Sequence, residues 1–183
     1  MPWGLTRFHQ SGQSHFVTFC CYHRNRLFTA DPSCRIFESA LERMRRSYRL
    51  YVYGYVVMPE HVHLLLSEPR QDTLADALKS LKQGVSRRLI GDAEHFWQKR
   101  YYDFNIRNYP QFVEKLRYIH RNPVKQGLCE RPEDWQWSSF RHYATGAEGR
   151  VEIESEWTAR KRERAAGRLC PAAELPHSSQ NRA

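Results

Sequence analysis

Two histidines one residue apart, His61 and His63, are the first residues whose type and spacing suggest chemistry. They lie in MPEHVHLLL, whose branched and apolar residues are typical of a buried strand. Side chains two residues apart in an extended chain point to the same face of a sheet. We therefore expect the two imidazoles to stand side by side, where neutral ring nitrogens can bind one divalent metal ion.

An HxH pattern alone does not define a metal site. Two histidines on a strand can also be ordinary sheet residues whose hydrogen bonds are satisfied by neighbours. A metal ion that assists phosphate chemistry usually needs at least one further oxygen donor, and positions open to the substrate. The sequence must therefore supply a third group.

The predicted helix at PQFVEKLRYIHRN supplies candidates for that third group. On a helical wheel of about 100° per residue, its apolar residues form one side. Tyr118 and Asn122 share another side, one turn apart and roughly opposite the core. We expect Pro123 to end or kink the helix just past Asn122. The Tyr118 hydroxyl could then meet a ligand, and the carboxamide oxygen of Asn122 could be the missing metal donor.

The elements that position these residues follow from periodicity. Strands are predicted in HFVTFCCYHR, LYVYGYVVM, HVHLLLS and FWQKRYYDFNIR, and helices in SCRIFESALERMRRSY, DTLADALKSLKQGVSRRLI and PQFVEKLRYIHRN. Ser33 is the expected N-cap of the first helix, and Asp72 or Thr73 that of the second. Pro59 and Glu60 join two strands in a tight hairpin. The order predicts an α+β fold with a ferredoxin-like antiparallel sheet and helices packed on one face.

The charge balance indicates a polyanionic partner. The chain of 183 residues has 29 Lys and Arg against 20 Asp and Glu, a formal net charge of +9, which favours nucleic acid. No run of about 18 apolar residues and no signal-peptide pattern is present, so we expect a cytoplasmic, nucleoid-associated protein with no membrane partner. The five cysteines show no CxxC spacing and predict neither a disulfide framework nor a zinc ribbon.

Four motifs together carry a resemblance to a known family. MPEHVHLLL, WQKRYYDF, YIHRNPVKQGL and WQWSSFRHY resemble, in this order, the motifs of the REP-associated tyrosine transposases, a branch of the HUH single-tyrosine transposases. The similarity extends from about Thr18 to Tyr143. We therefore assign a catalytic domain to residues 1–143. Beyond Tyr143 the composition changes to charged residues and then to a Pro-, Ser- and Asn-rich end, which predicts a basic, loosely attached and partly disordered tail over residues 144–183.

The resemblance also implies roles for the candidate residues. In that family the two histidines, here His61 and His63, hold Mg²⁺ or Mn²⁺, and a polar residue at the place of Asn122 completes the metal site. The tyrosine at the place of Tyr118 is the nucleophile, which forms a 5′-phosphotyrosine bond and leaves a free 3′-hydroxyl. The implied substrate is single-stranded DNA with palindromes that fold into hairpins. The general base is not assigned.

Basic and aromatic residues between and after the motifs are candidates for DNA contact. The cations are Arg87, Arg88, Lys99, Arg100, Arg107, Arg117, Arg121 and Lys125, and the aromatic residues are Tyr101, Tyr102, Tyr109, Trp135 and Trp137. Trp135 and Trp137 could equally pack under the last helix. The tail segment RKRER could grip a hairpin stem, although charge runs are more often solvated faces.

Two other functions remain open at this point. The chain could be a non-catalytic module that binds hairpin DNA, such as a domesticated transposase or a repressor. It could also be a metal-dependent hydrolase that uses water, which would form no covalent adduct and would survive Tyr118→Phe. A monomer with a site closed within one chain is favoured, because the helix that carries Tyr118 follows a short connection; a dimer is the alternative.

Overall fold

The structure is a computed structural model that describes residues 13–90 and 95–169, with side chains described as far as residue 166. The strands are β1 (Ser14–Cys20), β2 (Val52–Val57), β3 (His61–Leu66) and β4 (Tyr102–Ile106). The helices are α1 (Asp31–Ser47), α2 (Leu74–Leu89), α3 (Tyr109–Lys125), α4 (Phe140–Thr145) and α5 (Glu156–Leu169).

The four strands form one antiparallel sheet in the order β2-β3-β1-β4. This is the strand order of the ferredoxin-like plan, so the predicted α+β fold class is confirmed. The predicted hairpin at Pro59 and Glu60 is also confirmed, since the backbone N–H of Met58 donates to the carbonyl of His61 at 2.8 Å. β1 and β3 lie at the centre of the sheet, which places the two histidines in its middle.

The sheet is covered on both faces, and the expectation of helices on one face is wrong. Val62 and Leu64 of β3 lie in a core shared with α1 and α2. Leu65, on the other face, lies in a second cluster with Phe16 of β1 and Ile119 of α3. Because the central strands carry apolar residues on both faces, both faces must be buried, and α3 covers the second one.

Helix α3 is longer than the sequence suggested. Its N-terminus is capped by Asn108, whose side chain accepts the backbone N–H of Gln111 at 3.0 Å. The helix does not end at Asn122 but continues through Pro123 to Lys125. A proline near the last turn removes one backbone donor, and the helix then closes at Gly127, which has the left-handed φ of 70°.

Two other boundaries differ from expectation. The N-cap of α1 is Ala30, and Ser33 lies inside the first turn, where its hydroxyl donates to the Ala30 carbonyl at 2.7 Å. β1 ends at Cys20, because the chain turns at His23 and Arg24, which both have positive φ. The second helix begins as expected, with Thr73 as its N-cap.

The segment after Tyr143 is partly packed against the body. Val151 and Ile153 are buried in the α1–α2 core, and the backbone N–H of Glu154 donates to the carbonyl of Val52 at 2.8 Å. The expectation of a loose attachment is therefore wrong for this stretch. Residues 170–183, where partial disorder was expected, lie outside the described residues.

A helix that spans a membrane must be both long and apolar. None of the helices within residues 13–90 and 95–169 is both long and apolar enough to cross a bilayer.

Candidate active site

The two histidines of β3 stand side by side, as the alternation of the strand predicted. Their Nε2 atoms lie 3.0 Å apart, and their ring centroids are separated by 4.6 Å. Both side chains are buried on the face that α3 covers. Burial lowers the pKa of His61, and burial, with smaller contributions from the neighbouring His61 and Arg24, lowers the pKa of His63 to about 3. Both rings are therefore neutral near neutral pH, which is the form that binds metal.

The outer nitrogens of both rings have fixed partners. His61 Nδ1 lies 3.0 Å from Glu60 Oε1, and His63 Nδ1 lies 2.7 Å from Thr18 Oγ1. An ionised carboxylate only accepts, so His61 Nδ1 carries the proton and its Nε2 presents a lone pair. If Thr18 accepts in the same way, both Nε2 atoms present lone pairs to the same point.

Asn122 completes this cluster from α3. Its Nδ2 lies 3.1 Å from His63 Nε2, and the side chain is only 1% exposed. Its Oδ1 is buried and has no hydrogen-bond partner among the described residues. A buried carboxamide oxygen without a partner is costly unless a ligand satisfies it. Because the two ends of an amide exchange places by a 180° rotation, Oδ1 can be turned towards the two Nε2 atoms.

Tyr118 lies at the open edge of the same cluster. Its ring centroid is 5.2 Å from that of His63 and 5.8 Å from that of Phe16, both in edge-on contact. The side chain is 40% exposed. Lys125, two turns further along α3, places Nζ 6.0 Å from the centroid of the Tyr118 ring. A tyrosine beside neutral histidines and open to solvent can meet a large substrate.

The predicted relation between the helix and the core needs correction. Tyr118 and Asn122 do share one side of α3, but that side faces the sheet at the histidines. The wheel placed the buried side on the apolar residues alone, whereas the buried residues of the helix are Ile119, His120, Asn122 and Pro123. The sheet below α3 is polar at its centre, so a polar side chain of the helix can be buried there.

The donor set fits a small divalent cation. The neutral imidazole nitrogens of His61 and His63 face the side-chain amide of Asn122, whose oxygen reaches the same point once the amide is turned by 180°. Tyr118, which is 40% exposed, opens the edge of this cluster to solvent. Within the described part of the chain, no group of three His, Cys, Asp or Glu side chains could hold a metal ion. The amide oxygen is therefore the donor that distinguishes this cluster from a pair of sheet histidines.

His120 does not belong to the site. Its ring packs against Phe140 and Tyr143, and its Nε2 lies 2.9 Å from Ser139 Oγ. Burial lowers the pKa of His120 to about 4. This histidine is held on the other flank of α3, away from Tyr118, and serves to pack α4 against the helix.

The candidate DNA-contact residues are distributed over both faces of the sheet. Lys125 is the cation that the structure brings to Tyr118, whereas Arg117 and Arg121 are exposed elsewhere on α3, and Arg107 is exposed just before it. Exposed cations also end α2 on the opposite face or follow it in the chain; they are Arg87, Arg88, Lys99 and Arg100. Tyr101 is half-buried against the α1–α2 core.

The two tryptophans after α3 are packing residues. Trp135 donates its indole N–H to the Val57 carbonyl at 3.0 Å and packs in the cluster under α3. Trp137 packs against the α1–α2 core, and its carbonyl accepts the backbone N–H of Val57 at 2.9 Å. Tyr109, by contrast, is 75% exposed and remains open for base stacking.

The sequence reasoning missed three residues of the site. Glu60 and Thr18 hold the outer nitrogens of the histidines, and Phe16 stacks on His63 at 5.5 Å between centroids. Glu60 precedes His61 directly, and an acidic neighbour of a candidate metal histidine is a signal that could have been read. Phe16 and Thr18 lie far from the histidines in sequence and become neighbours only through the pairing of β1 with β3.

Comparisons with known proteins agree with this fold. The family model described as "Transposase IS200 like" matches residues 9–122, more than half of the chain. The chain therefore belongs to the IS200-like transposase family.

Particular relatives narrow the resemblance within that family. The REP-associated tyrosine transposase of Escherichia coli K12 is 26% identical over 136 residues, covering 73% of this chain and 80% of that protein. A Haemophilus influenzae Rd protein, provisionally given the same name, is 29% identical over 142 residues, covering 70% and 80% respectively. The structure of a REP-associated tyrosine transposase bound to a REP hairpin matches with a TM-score of 0.68 at 24% identity, covering 83% of this chain and 92% of that one. The resemblance to REP-associated tyrosine transposases is confirmed.

Proposed function

We propose that this transposase is a metal-dependent single-stranded DNA endonuclease and strand transferase. It acts on REP-type palindromic hairpins through a 5′-phosphotyrosine intermediate on Tyr118. The observation that carries the proposal is the edge-on contact of the Tyr118 ring with His63, at 5.2 Å between centroids. That contact joins a partly exposed nucleophile to a nitrogen and oxygen donor set that fits Mg²⁺ or Mn²⁺.

The roles of the residues follow from their chemistry. His61, His63 and Asn122 would hold the cation, which would polarise a non-bridging phosphate oxygen and offset developing negative charge. The Tyr118 oxygen attacks phosphorus, so a bond from phosphorus to the tyrosine oxygen forms and the bond to the 3′ oxygen breaks. The phenolic proton leaves for solvent or a base, and the departing oxygen becomes a 3′-hydroxyl. The reverse attack by another 3′-hydroxyl rejoins the strand without an external energy source.

The choice of DNA as partner is supported by charge and by the related structure. The chain has a net charge of +9, and Lys125 lies beside Tyr118. The matched REP-associated transposase was solved bound to a REP hairpin. Where unpaired nucleotides flank a hairpin they lie at its foot, and these are the nucleotides that a partly exposed tyrosine at the edge of the cluster could reach.

The test is a search for the covalent adduct. Labelled hairpin DNA from the repeats of the source genome is incubated with the protein and Mg²⁺ or Mn²⁺, and the products are resolved under denaturing conditions. We expect a label that migrates with the protein, disappears when the metal is chelated and is absent in Tyr118→Phe. Tyr109→Phe is the matched control, because Tyr109 lies on the same helix and is more exposed, and it should form the adduct normally.

Other outcomes would identify a different function. Metal-dependent cutting that survives Tyr118→Phe, with no adduct, would show a hydrolase that uses water. Tight hairpin binding without cutting on any repeat would show a DNA-binding module.

The proposed site closes within one chain, since Tyr118, Asn122 and His63 of the same chain are in contact. A monomer in light scattering would agree with it. Activity restored by mixing His61→Ala with Tyr118→Phe would contradict it.

A further inference from the structure

A groove lies between α2 and residues 96–101, on the face of the sheet opposite the histidines. Its volume is about 340 Å³. Three lysines line it, Lys79, Lys82 and Lys99, together with the aromatic residues Phe96, Trp97 and Tyr101. None of the residues that line it, all within the described part of the chain, is acidic. We call this feature the α2 groove.

Lys82 is held in place at the floor of the α2 groove. Its Nζ donates to the carbonyl of Gln98 at 2.8 Å and lies 5.7 Å from the ring centroid of Phe19. The Trp97 indole N–H donates to the carbonyl of Lys82 at 2.9 Å and fixes the helix against the groove wall. Burial lowers the pKa of Lys82, because its ammonium is only partly hydrated. A fixed cation that has lost part of its hydration gains more from an anion than a mobile surface lysine does.

The wall of the α2 groove is hydrogen-bonded to the strand beside the histidines. The backbone N–H of Gln98 donates to the carbonyl of Cys20 at 2.8 Å, and Cys20 pairs with His61 across the other edge of β1. Two strand spacings, about 10 Å, therefore separate the wall from β3. Lys99, which lines the α2 groove, and Arg100 are both exposed in the segment that carries this wall. A single strand that leaves the histidine face would therefore cross about two strand spacings to reach the α2 groove.

We propose that the α2 groove binds single-stranded nucleotides next to the hairpin, with phosphates on its lysines and a base against the partly exposed rings of Trp97 and Tyr101. Sites for small ligands occupy about 300–1,000 Å³, so this volume suits a nucleotide and excludes a duplex. Proteins that bind single-stranded nucleic acid usually combine cationic side chains, which contact the phosphates, with aromatic side chains on which the bases stack. The inference rests on the proposed function only in that the substrate is hairpin DNA with a single-stranded flank.

The experiment compares two probes on protein that cannot cut. Binding is measured by fluorescence anisotropy in a Tyr118→Phe background, using one REP hairpin without an extension and the same hairpin with a short single-stranded extension at its foot. The test variant is Lys79→Gln with Lys99→Gln, two exposed positions whose change should not disturb folding. The matched control is Arg35→Gln with Arg43→Gln, which removes the same charge from exposed positions of α1.

We expect the test variant to lose about tenfold in affinity for the extended hairpin and less than about twofold for the hairpin alone. The slope of log affinity against log salt should become shallower by about 1.4 for the extended probe, since each phosphate contact to a single strand contributes about 0.7. The control should change both probes alike and by less than about twofold. Equal losses on both probes would place the stem in the α2 groove and overturn the proposal, as would no loss at all.

The outcome is independent of the phosphotyrosine chemistry. If no adduct is ever found but the extension-dependent loss appears, the α2 groove stands and the proposed reaction fails. If the adduct forms normally and the extension makes no difference to the variant, the reaction stands and the α2 groove proposal fails.

Discussion

The Nδ1 atom of His61 lies 3.0 Å from Oε1 of Glu60, the residue immediately before it in the hairpin turn. This contact decides which nitrogen of His61 is protonated and how its ring is turned. Because the carboxylate accepts the Nδ1 proton, the Nε2 lone pair points at His63 and Asn122. Glu60 is therefore a positioning residue for the candidate metal site, since it raises the basicity of the nitrogen that faces the cation.

Removing the Glu60 side chain should weaken metal binding. We expect Glu60→Ala to lower the affinity for Mn²⁺ by about 10-fold to 100-fold, which is the usual effect of losing such a partner. Glu60→Gln should lose less, because its amide oxygen still accepts the Nδ1 proton and keeps the ring orientation. Titration calorimetry with Mn²⁺ measures both, with Glu130→Gln, an exposed position outside the site, as the control. If Glu60→Ala bound Mn²⁺ with wild-type affinity, the contact between Glu60 and His61 would stabilise the hairpin turn but play no part in metal binding.

A substitution of Asn122 can distinguish whether its side chain binds the metal or only stabilises the fold. Asn122→Asp supplies a carboxylate oxygen of the same size, so a metal ligand at this position should bind Mn²⁺ several-fold more tightly. Asn122→Ala should lose about tenfold or more in Mn²⁺ affinity. If Asn122 only donates its amide to His63, Asn122→Asp would instead lower the free energy of unfolding and leave Mn²⁺ affinity no better than in the alanine variant. Titration calorimetry and urea unfolding of the two variants distinguish the cases.

A buried ion cluster on the other face of the sheet should make stability depend on pH. His15 is fully buried, with Nδ1 3.0 Å from Asp103 and Nε2 3.3 Å from Glu68. Burial opposes its charge, but hydrogen bonds and attraction from the two carboxylates outweigh burial and raise the pKa of His15 above 6.5. The charged form thus stabilises the fold fully below about pH 6.5, and this contribution is lost as pH rises through the folded pKa.

The measurement is urea unfolding of the wild type and of His15→Gln at about pH 6 and about pH 9. The difference in free energy of unfolding between the two proteins should be larger at the lower pH, where the charged form of His15 is present in the folded protein. Differences that are equal at both pH values would mean that the pKa of His15 is the same in the folded and unfolded protein, and a smaller difference at about pH 6 would mean that His15 is neutral when folded.

The sequence correctly predicted which residues share one side of a strand or helix, but it did not predict which side of α3 packs against the sheet. The pairing of His61 with His63 follows from the period of a strand, and the common side of Tyr118 and Asn122 follows from the period of a helix. Which side of α3 meets the sheet depends on Phe16, about 100 residues away, and on the polar centre that the histidines create. A wheel contains no such information, and for the same reason it placed Tyr118 and Asn122 opposite the core.

For the fold, too, the order of the elements could be predicted from the sequence, whereas some long-range packing could not. Strand order followed from the alternation of elements, since a βαββαβ pattern has few antiparallel arrangements. The packing of Val151 and Ile153 into the core was not predictable, because two isolated apolar residues in a charged segment have no periodicity. Their burial depends on a backbone contact with Val52 that only the folded sheet offers.

The position of α3 over the histidines depends on the absence of a side chain at Gly54. A Cβ atom at this position of β2 would lie 2.6 Å from Cδ1 of Leu116 and 3.4 Å from Oγ of Ser139. Alanine could be accommodated if Leu116 turned, but valine would push α3 from the sheet. We expect Gly54→Val to lower the free energy of unfolding by about 1–3 kcal/mol, the usual cost of overpacking.

Activity should fall further than stability in Gly54→Val, because a shift of α3 also moves Tyr118 and Asn122 away from His63. Adduct formation under conditions where the variant is folded measures this, and hairpin affinity should change much less, since it depends on many phosphate contacts. Adding Leu116→Ala to Gly54→Val removes the clashing atom and should restore part of the adduct yield. Gly84→Val is the matched control, since a Cβ at Gly84 of α2 meets nothing within 4 Å. Wild-type stability and cutting in Gly54→Val would mean that the close approach of α3 to β2 does not position Tyr118.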